Sequence, residues 1–314
     1  MLSDVLPLRH ASRELVRELG FLEPRNEKTK LPHSYSHALI EIGARAHVSQ
    51  TELGDVLRLE KSTTSRIVAD LVTRRWVRVS AHPTDKRARV LALTRTGRAK
   101  LLRVHRDAND RVERALGLLS EGERAAVVSG IQAYANALAR SRRSAKYAIR
   151  PVSAVHRRAV ASLIRTVMPE FGAKGPGFAI LDPEVDDMFG AYRGRKSMYF
   201  VVTRPSARGE SGSEVVAGGG GFAALSGSDD AGVCELRKMY FLPELRGLGF
   251  GRKLLGICIE SAKKAGYSRM YLETLETMHR ARALYEQNGF RRLERALGQT
   301  GHFGCDVFYI RDLR

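Results

Sequence analysis

The stretch Cys234-Glu-Leu-Arg-Lys-Met-Tyr-Phe-Leu-Pro-Glu-Leu-Arg-Gly-Leu-Gly-Phe-Gly-Arg-Lys-Leu-Leu-Gly256 decides the fold of the chain around it. Residues to Leu242 read as a strand, Pro243 and Glu244 as a turn, and Arg246 onward as a loop of Arg and Gly that opens a helix near Gly249. Several backbone N–H groups converge where a strand gives way to a helix in this way, which makes a cradle for a pyrophosphate. Glycine is expected at 247, 249 and 251 because a side chain there would hold the phosphate off the amides, while Arg246 and Arg252 favour the anion. Taken alone, Arg-x-x-Gly-x-Gly also fits an ordinary glycine-containing turn.

A second motif lies downstream: Ala283-Leu-Tyr-Glu-Gln-Asn-Gly-Phe290, a helix ending in an Asn-Gly cap and followed by a strand. Together the two resemble the GNAT superfamily of acyl-CoA N-acetyltransferases. That family's coenzyme motif has the form Gln/Arg-x-x-Gly-x-Gly/Ala, and its next helix ends in Leu-Tyr-Glu-x-x-Gly-Phe. The resemblance spans Tyr147 to Leu313. It implies an α/β fold with a mixed, mainly antiparallel central sheet flanked by helices, acetyl-CoA as acetyl donor, no metal, and direct transfer to a primary amine without an acyl-enzyme.

By the same likeness the coenzyme diphosphate meets the main chain of Arg246, Gly247, Leu248, Gly249, Phe250, Gly251 and Arg252. Main-chain groups of Met239, Tyr240 and Phe241 are offered to the pantetheine arm and the acyl carbonyl. Tyr285 stands where the family places the tyrosine that protonates the leaving thiolate; a core residue at a helix end is the other reading. One position departs from the pattern. Where many members carry an Asn that bonds the coenzyme, this chain has Met278, with His279 beside it.

An amine must lose a proton before it attacks a thioester. Glu235 is the first choice for the base, because it lies in a mostly apolar part of the strand where burial would raise its pKa. An ion pair with Arg237 is the competing reading. Glu273, at the end of Met270-Tyr-Leu-Glu-Thr274, is the second choice, and base work through a water the third. His302 and Cys305, three apart, do not by themselves make a metal site; an acceptor-pocket role or packing is preferred for His302.

The chain has 314 residues, long for one domain and comfortable for two. Its net charge of +19 favours an anionic partner such as nucleic acid, or serves solubility alone. Cys234, Cys258 and Cys305 are scattered without a Cys-x-x-Cys pair, so a disulfide framework or zinc site is not expected and a reducing compartment is. No apolar run approaches the roughly 18 residues of a membrane span, and Met-Leu-Ser-Asp-Val at the start carries an acid where a signal peptide carries base. The expectation is a cytoplasmic protein without a membrane partner.

Helical periodicity dominates the first half. Leu2 to Leu19 predicts an amphipathic helix, Glu23 to Pro32 a loop, and Ser34 to Ala46 a second helix with Ala38, Leu39 and Ile42 inward. Ser49-Gln-Thr-Glu52 matches a capping box and starts a short helix, after which Lys61 to Arg74 makes another. On that helix Thr64, Ile67, Val68, Leu71 and Val72 face inward, while Ser62, Thr63, Arg66, Ala69 and Thr73 face outward. A small, hydroxylic and basic face suits a major groove, or is simply solvated. Trp76 to Ser80 and Ala88 to Leu93 alternate like two strands around the basic tip His82-Pro-Thr-Asp-Lys-Arg87, and Trp76 is expected in the core. Leu93-Thr-Arg-Thr-Gly97 then leads into a long helix to Leu119, and Ser120-Glu-Gly-Glu123 caps another to Arg140.

This order resembles the MarR family of bacterial transcription regulators over residues 1 to 140, including Asp85 and Arg87 in the wing and Leu93, Thr94 and Gly97 after it. The likeness implies that the segment holding Lys61, Ser62, Thr63 and Arg66 reads the major groove of double-stranded DNA. Arg87 would reach the minor groove, held by Asp85, which also fits a plain turn former. It further implies a homodimer whose two recognition helices meet the half-sites of a pseudo-palindromic operator about 34 Å apart. Leu101, Val104, Val112, Leu116 and Leu119, with Val127, Ile131, Tyr134 and Leu138, supply the apolar faces such a dimer would cover.

Arg140-Ser-Arg-Arg-Ser-Ala-Lys146 is polar and basic and reads as the connector, placing a winged-helix domain at 1–144 and an acetyltransferase domain at 145–314. Beyond it come a strand at Tyr147 to Pro151, a helix from Ala154 to Met168 with Val155, Ala159, Leu163 and Val167 on one side, and a short helix from Asp182 to Met188. Strands follow at Met198 to Val202 and Val215 to Leu225. Gly218 to Gly221 precede no helix and no Lys-Ser/Thr, so they read as close packing or a bulge and not as a phosphate loop. The whole reads as a winged-helix regulator fused to an N-acetyltransferase. The alternative is a transcription factor whose second half only senses acetyl-CoA or a small amine.

Overall fold

The computed structural model describes residues 3–25, 30–82, 88–206 and 213–313. They form two compact units that divide at Val128 and Ser129. The first holds α1 (Val5–Glu18), α2 (His33–Ala44), α3 (Gln50–Leu57), α4 (Lys61–Thr73), β1 (Val77–Ala81), β2 (Arg89–Leu93) and α5 (Arg95–Leu116). The capping box forms at α3: the Ser49 hydroxyl accepts the Glu52 N–H at 3.2 Å, and Glu52 Oε2 accepts the Ser49 N–H at 2.7 Å. Arg58, left-handed at φ 57°, closes α3 and turns the chain into α4. Gly54 lets the two helices approach, since a Cβ there would lie 2.9 Å from Thr64 Oγ1.

Ile67, Val68 and Leu71 of α4 join Leu39, Ile42, Leu53, Val77 and Leu91 in one core. Val72 does not, and is exposed; one step beyond Leu71 turns it about 100° off the buried stripe. The strands β1 and β2 pair antiparallel from Val77 opposite Leu93 to Ala81 opposite Arg89. Asp85 and Arg87, at the expected wing tip, lie outside the described residues. Thr94 caps α5 by accepting the Gly97 N–H at 3.0 Å and donates to the Arg75 carbonyl at 2.6 Å. A side chain at 97 has no room, because its Cβ would stand 1.9 Å from the Trp76 carbonyl oxygen. Trp76 is half-buried at the core's edge instead of within it, with Arg74 and Lys100 over its ring.

The helix α6 (Glu121–Ser144) overruns its expected end at Arg140. Nothing between Arg140 and Ser144 breaks a helix, and Arg142 and Arg143 complement the dipole of its last turn. The division between the two units falls within this helix, ahead of the connector expected from composition. No residue of α1 is buried, and Val112, Val127, Ile131, Tyr134 and Leu138 are exposed.

The second unit adds β3 (Ala148–Pro151), α7 (Arg157–Val167), α8 (Met188–Ala191), β4 (Met198–Pro205), β5 (Glu214–Ala224), β6 (Val233–Phe241), α9 (Phe250–Lys264), β7 (Arg269–Thr274), α10 (His279–Gln287), β8 (Arg291–Leu293) and β9 (Val307–Asp312). The sheet runs β3-β4-β5-β6-β7-β9-β8. Every pairing is antiparallel except that of β6 with β7. Alternation along β4 sends Phe200 and Val202 into the core shared with α9, and Tyr199 and Val201 into the core shared with α7. The helix α7 buries Val160, Ala161, Leu163, Ile164 and Val167. Val155, expected on that face, is 85% exposed because residues 154–156 form a tighter turn that rotates it away. Gly218 to Gly221 allow close packing, as a Cβ on Gly221 would lie 2.3 Å from the Met198 carbonyl oxygen.

Candidate active site

β6 and β7 pair over only three positions, Val233 with Arg269, Cys234 with Met270 and Glu235 with Tyr271. Beyond Glu235 the strands part, and the rest of β6 is hydrogen-bonded on the β5 side alone. The Leu242 N–H donates to the Ala217 carbonyl at 2.8 Å, so by alternation Tyr240 faces β5 while the main chains of Met239 and Phe241 face the gap. Of the three residues expected to offer main-chain groups, Met239 and Phe241 therefore face the gap and Tyr240 faces β5. The Phe241 carbonyl already accepts from Arg246 Nε at 2.9 Å.

A bulge sits in the same stretch. The register slips between Gly219 and Gly221, and Lys238 takes φ 50°, which is costly for a residue with a Cβ. In a regular strand Arg237 and Lys238 would face opposite ways, yet both reach Glu184, Arg237 at 3.8 Å and Lys238 by direct contact. Tyr199 holds the distortion by donating its hydroxyl to the Lys238 carbonyl at 3.0 Å.

The gap opens into a groove of about 870 Å³. Gly247, Gly249 and Gly251 line it beside Arg246 and Arg252, with Met239 to Phe241 on one side and Met278 to Ala281, at the start of α10, on the other. Gly247 and Gly249 take φ 76° and 89°, and a Cβ on either would meet nothing within 4 Å, while the Arg246 and Leu248 N–H groups already donate to the Pro243 and Leu245 carbonyls at 3.2 and 3.3 Å. Gly249 precedes the first residue of α9, and the unpaired N–H groups of that helix start follow it. Leu248 and Phe250 turn their side chains into the core. Arg252 donates to Gln287 Oε1 at 2.9 Å. Arg246 pairs with Glu170 at 2.7 Å and lies over Phe171, but its Nη2 is buried without a partner. Open glycines, a helix start and an orphaned guanidinium nitrogen fit an anionic coenzyme such as acetyl-CoA.

Deeper between the strands lies a cavity of about 60 Å³ where Glu235, Glu273, His302, Tyr285 and Cys305 meet. Glu235 is 3% exposed and accepts from Arg237 Nε at 2.6 Å, so the expected burial and the competing ion pair occur together. Burial pushes its carboxyl above the usual range, against the pull of Arg237 and His302. Glu273 accepts from the Thr300 hydroxyl and, at 2.8 Å, from Tyr271. Tyr285 is 5% exposed and packs against Phe290 and Tyr309, and burial pushes its phenol up, so it stays a neutral donor. It is thus both a core residue and a cavity wall.

Oxygens of Glu235 and Glu273 and a ring nitrogen of His302 lie within 4.8 Å of one another. Arg237 is the nearest cation to Glu235, and beside both carboxylates lies His302: burial opposes its charge, but Asp182 and Glu273 outweigh that and raise its pKa to about 9. His302 Nε2 lies 3.0 Å from Asp182, which also takes Lys238 at 2.6 Å. Asp182, Glu184 and Lys238 were not legible as site residues. Asp182 and Glu184 belong to the acidic run Asp182-Pro-Glu-Val-Asp-Asp187, which forms a tight 3-10 turn where a short helix from Asp182 to Met188 was expected, and only the bulge brings Lys238 to them.

In the first unit, Lys61, Ser62 and Arg66 are exposed and Thr63 half-exposed on α4, with Arg66 Nη2 donating to Thr63 Oγ1 at 3.3 Å. They lie around the solvent side of α4, away from the buried stripe of Thr64, Ile67, Val68 and Leu71.

A family model described as the acetyltransferase (GNAT) family matches residues 167–290, and one described as the MarR family matches residues 29–88. The uncharacterized N-acetyltransferase YjgM of Escherichia coli is 42% identical over 173 residues, which cover 52% of this chain and 98% of YjgM. Among solved structures, a GNAT-family acetyltransferase from Staphylococcus aureus is 22% identical with a TM-score of 0.45, over 54% of this chain and 99% of its own. Wild-type MarR of Escherichia coli is 23% identical with a TM-score of 0.35, over 43% of this chain and 98% of its own. The chain belongs to the GNAT acetyltransferases, and the MarR model matches only the helical and hairpin stretch that precedes them in sequence.

Proposed function

We propose that the protein is bifunctional, a DNA-binding transcriptional regulator over residues 1–144 and an acetyl-CoA-dependent N-acetyltransferase over 145–314 that acts on a primary amine. The observation that carries the catalytic reading is the meeting of Glu235 and Tyr285 in one cavity, at the point where β6 and β7 part and below the open glycine loop. Amides of Gly247 and of Gly249 to Arg252 hold the diphosphate beside the Arg246 guanidinium, and Met239 and Phe241 present main chain to the arm that carries the thioester. Glu235, directly or through a water, takes a proton from the amine as its nitrogen bonds to the acyl carbon. The carbon–sulfur bond breaks, and Tyr285 gives its proton to the departing thiolate; the proton on Glu235 then restores the phenol through solvent. One amide and one free thiol result.

The test is thiol release from acetyl-CoA with methylamine, spermidine, free amino acids and a lysine-containing peptide, by the wild type and by Tyr285→Phe and Glu235→Gln. Turnover with one class of amine, reduced in both variants, supports the reading. Coenzyme binding with no turnover of any amine makes the second half a sensor instead.

For the regulator half, the outward face of α4 supports contact with double-stranded DNA through Lys61, Ser62, Thr63 and Arg66. The exposed apolar residues of α1, α5 and α6 support a homodimer. No helix among the described residues is long and apolar enough to cross a membrane.

A further inference from the structure

Charge from three directions converges on one imidazole. His302 lies on the loop between β8 and β9, where Gly301 takes φ 82° and Thr300 Oγ1 accepts the His302 N–H at 3.2 Å while donating to Glu273. The Gly304 N–H pins the loop to the Gly177 carbonyl at 3.0 Å. Nε2 of His302 stands 3.0 and 3.2 Å from the two Asp182 oxygens, and Nδ1 stands 3.6 Å from Glu273 Oε2 and 4.0 Å from Glu235 Oε1. A neutral imidazole has one N–H, so one nitrogen would turn a lone pair on a carboxylate. Only the imidazolium presents a donor to both sides.

We propose that His302 is a positioning residue whose fixed positive charge between Glu235 and Glu273 keeps Glu235 able to accept the amine's proton at neutral pH. The inference rests on the reading of Glu235 as base. Two buried carboxylates facing one cavity do not both ionise readily, because each disfavours the charge of the other. Burial and Glu273 push Glu235 toward its protonated form, and Arg237 and His302 oppose them.

The other groups around the pair do not replace His302. From β6, Arg237 reaches Glu235 and Glu184, while Lys238 is taken by Asp182 and Glu184. From β7, Tyr271 donates to Glu273, and near α8 Tyr192 donates to Glu184 at 3.3 Å. On the loop of His302 itself, Asp306 accepts the Glu276 N–H at 2.8 Å, and burial keeps the Cys305 thiol neutral, as it does the phenols of Tyr240 and Tyr285. Among the described residues, His302 is the cationic group that has both Glu235 and Glu273 within 4.0 Å.

The experiment is the pH profile of kcat/KM for the full-length wild type and for His302→Gln, Glu273→Gln and Glu235→Gln, using acetyl-CoA and the fastest amine of the panel above. His302→Gln should move the acidic limb to higher pH by about one unit, a roughly tenfold loss below the limb that recovers in alkali. Glu273→Gln, which removes the competing carboxylate, should move it the other way. An even loss at every pH in His302→Gln with the limb unmoved overturns the proposal, as does a shift of the same sign in both variants. Should His302→Gln fail to fold, the Glu273→Gln profile decides, and an unmoved limb there is equally fatal. A limb that persists in Glu235→Gln removes the base assignment and this inference with it. A limb lost in Glu235→Gln but unmoved in His302→Gln removes this inference alone.

Discussion

Glu235 and Tyr271 are the last partners that β6 and β7 share. One residue further on, the hydrogen-bonding edge of β6 has no neighbouring strand. Polar main chain is costly to leave unpaired in an interior, and this edge is the one the proposed pantetheine contact uses. The same pair sets the depth of the cavity, since Glu235 is held at its floor by Arg237 and Tyr271 donates to Glu273 beside it.

Tyr285→Phe keeps the ring that packs on Phe290 and Tyr309 and removes only the hydroxyl. Stability should change little, while kcat falls about 100-fold with a nearly constant KM for the amine. Steady-state kinetics beside a thermal melt checks both. Since burial pushes the phenol above its ordinary range, the wild type should show no alkaline loss of activity from this group below pH 10.

The charge on His302 links stability to pH. Its folded value of about 9 exceeds the ordinary 6.5, so the stabilisation is complete below pH 6.5 and lost as pH rises through about 9. Melting temperature should therefore fall across that window, and His302→Gln should flatten that part of the curve. An unchanged slope in the variant would show that other groups titrate there.

Gly221→Ala places a Cβ 2.3 Å from the Met198 carbonyl oxygen and 2.7 Å from the Tyr199 ring, both on the neighbouring strand. Backbone cannot swing aside as a side chain does. Destabilisation of about 2 kcal/mol or more is expected, in the range of overpacked cores, and urea titration measures it.

All three cysteines should resist alkylation in the native protein. Burial pushes the Cys234 and Cys305 thiols up to about 12 and Cys258 higher still. Iodoacetamide at pH 7.5, followed by mass spectrometry, should find little adduct until denaturant is added.

Arg66→Ala and Lys61→Ala remove cations from the outward face of α4 without touching its core. Each should weaken DNA binding and lower the steepness of its salt dependence by about one released ion for each phosphate left unneutralised. Fluorescence anisotropy over a salt series reads this directly. Equal affinity in the variants would place the DNA-binding surface elsewhere.

Local chemistry was legible from residue order alone. The capping box at Ser49 and Glu52, the strand, turn and helix around Arg246 to Arg252, and the Asn-Gly end of α10 each depend on neighbours in sequence. Periodicity placed Thr64, Ile67, Val68 and Leu71 inward for the same reason. Where backbone geometry changed the period, it misled: Val155 was rotated out by a tighter turn, and α6 ran past Arg140 because polarity does not end a helix.

Sequence alone determined the transferase family, most of the elements and the glycine loop at the start of α9, since those follow from motifs of a few residues. Glu273 and His302 were already candidates in the sequence, but tertiary structure alone decided that they share one charged cluster with Asp182 and Lys238. Asp182, Lys238, Glu273 and His302 come from four separate segments, and they meet only because β6 leaves β7 after Glu235 and a bulge turns Lys238 around. Charges that interact through space across such distances in the chain leave no spacing by which to read them.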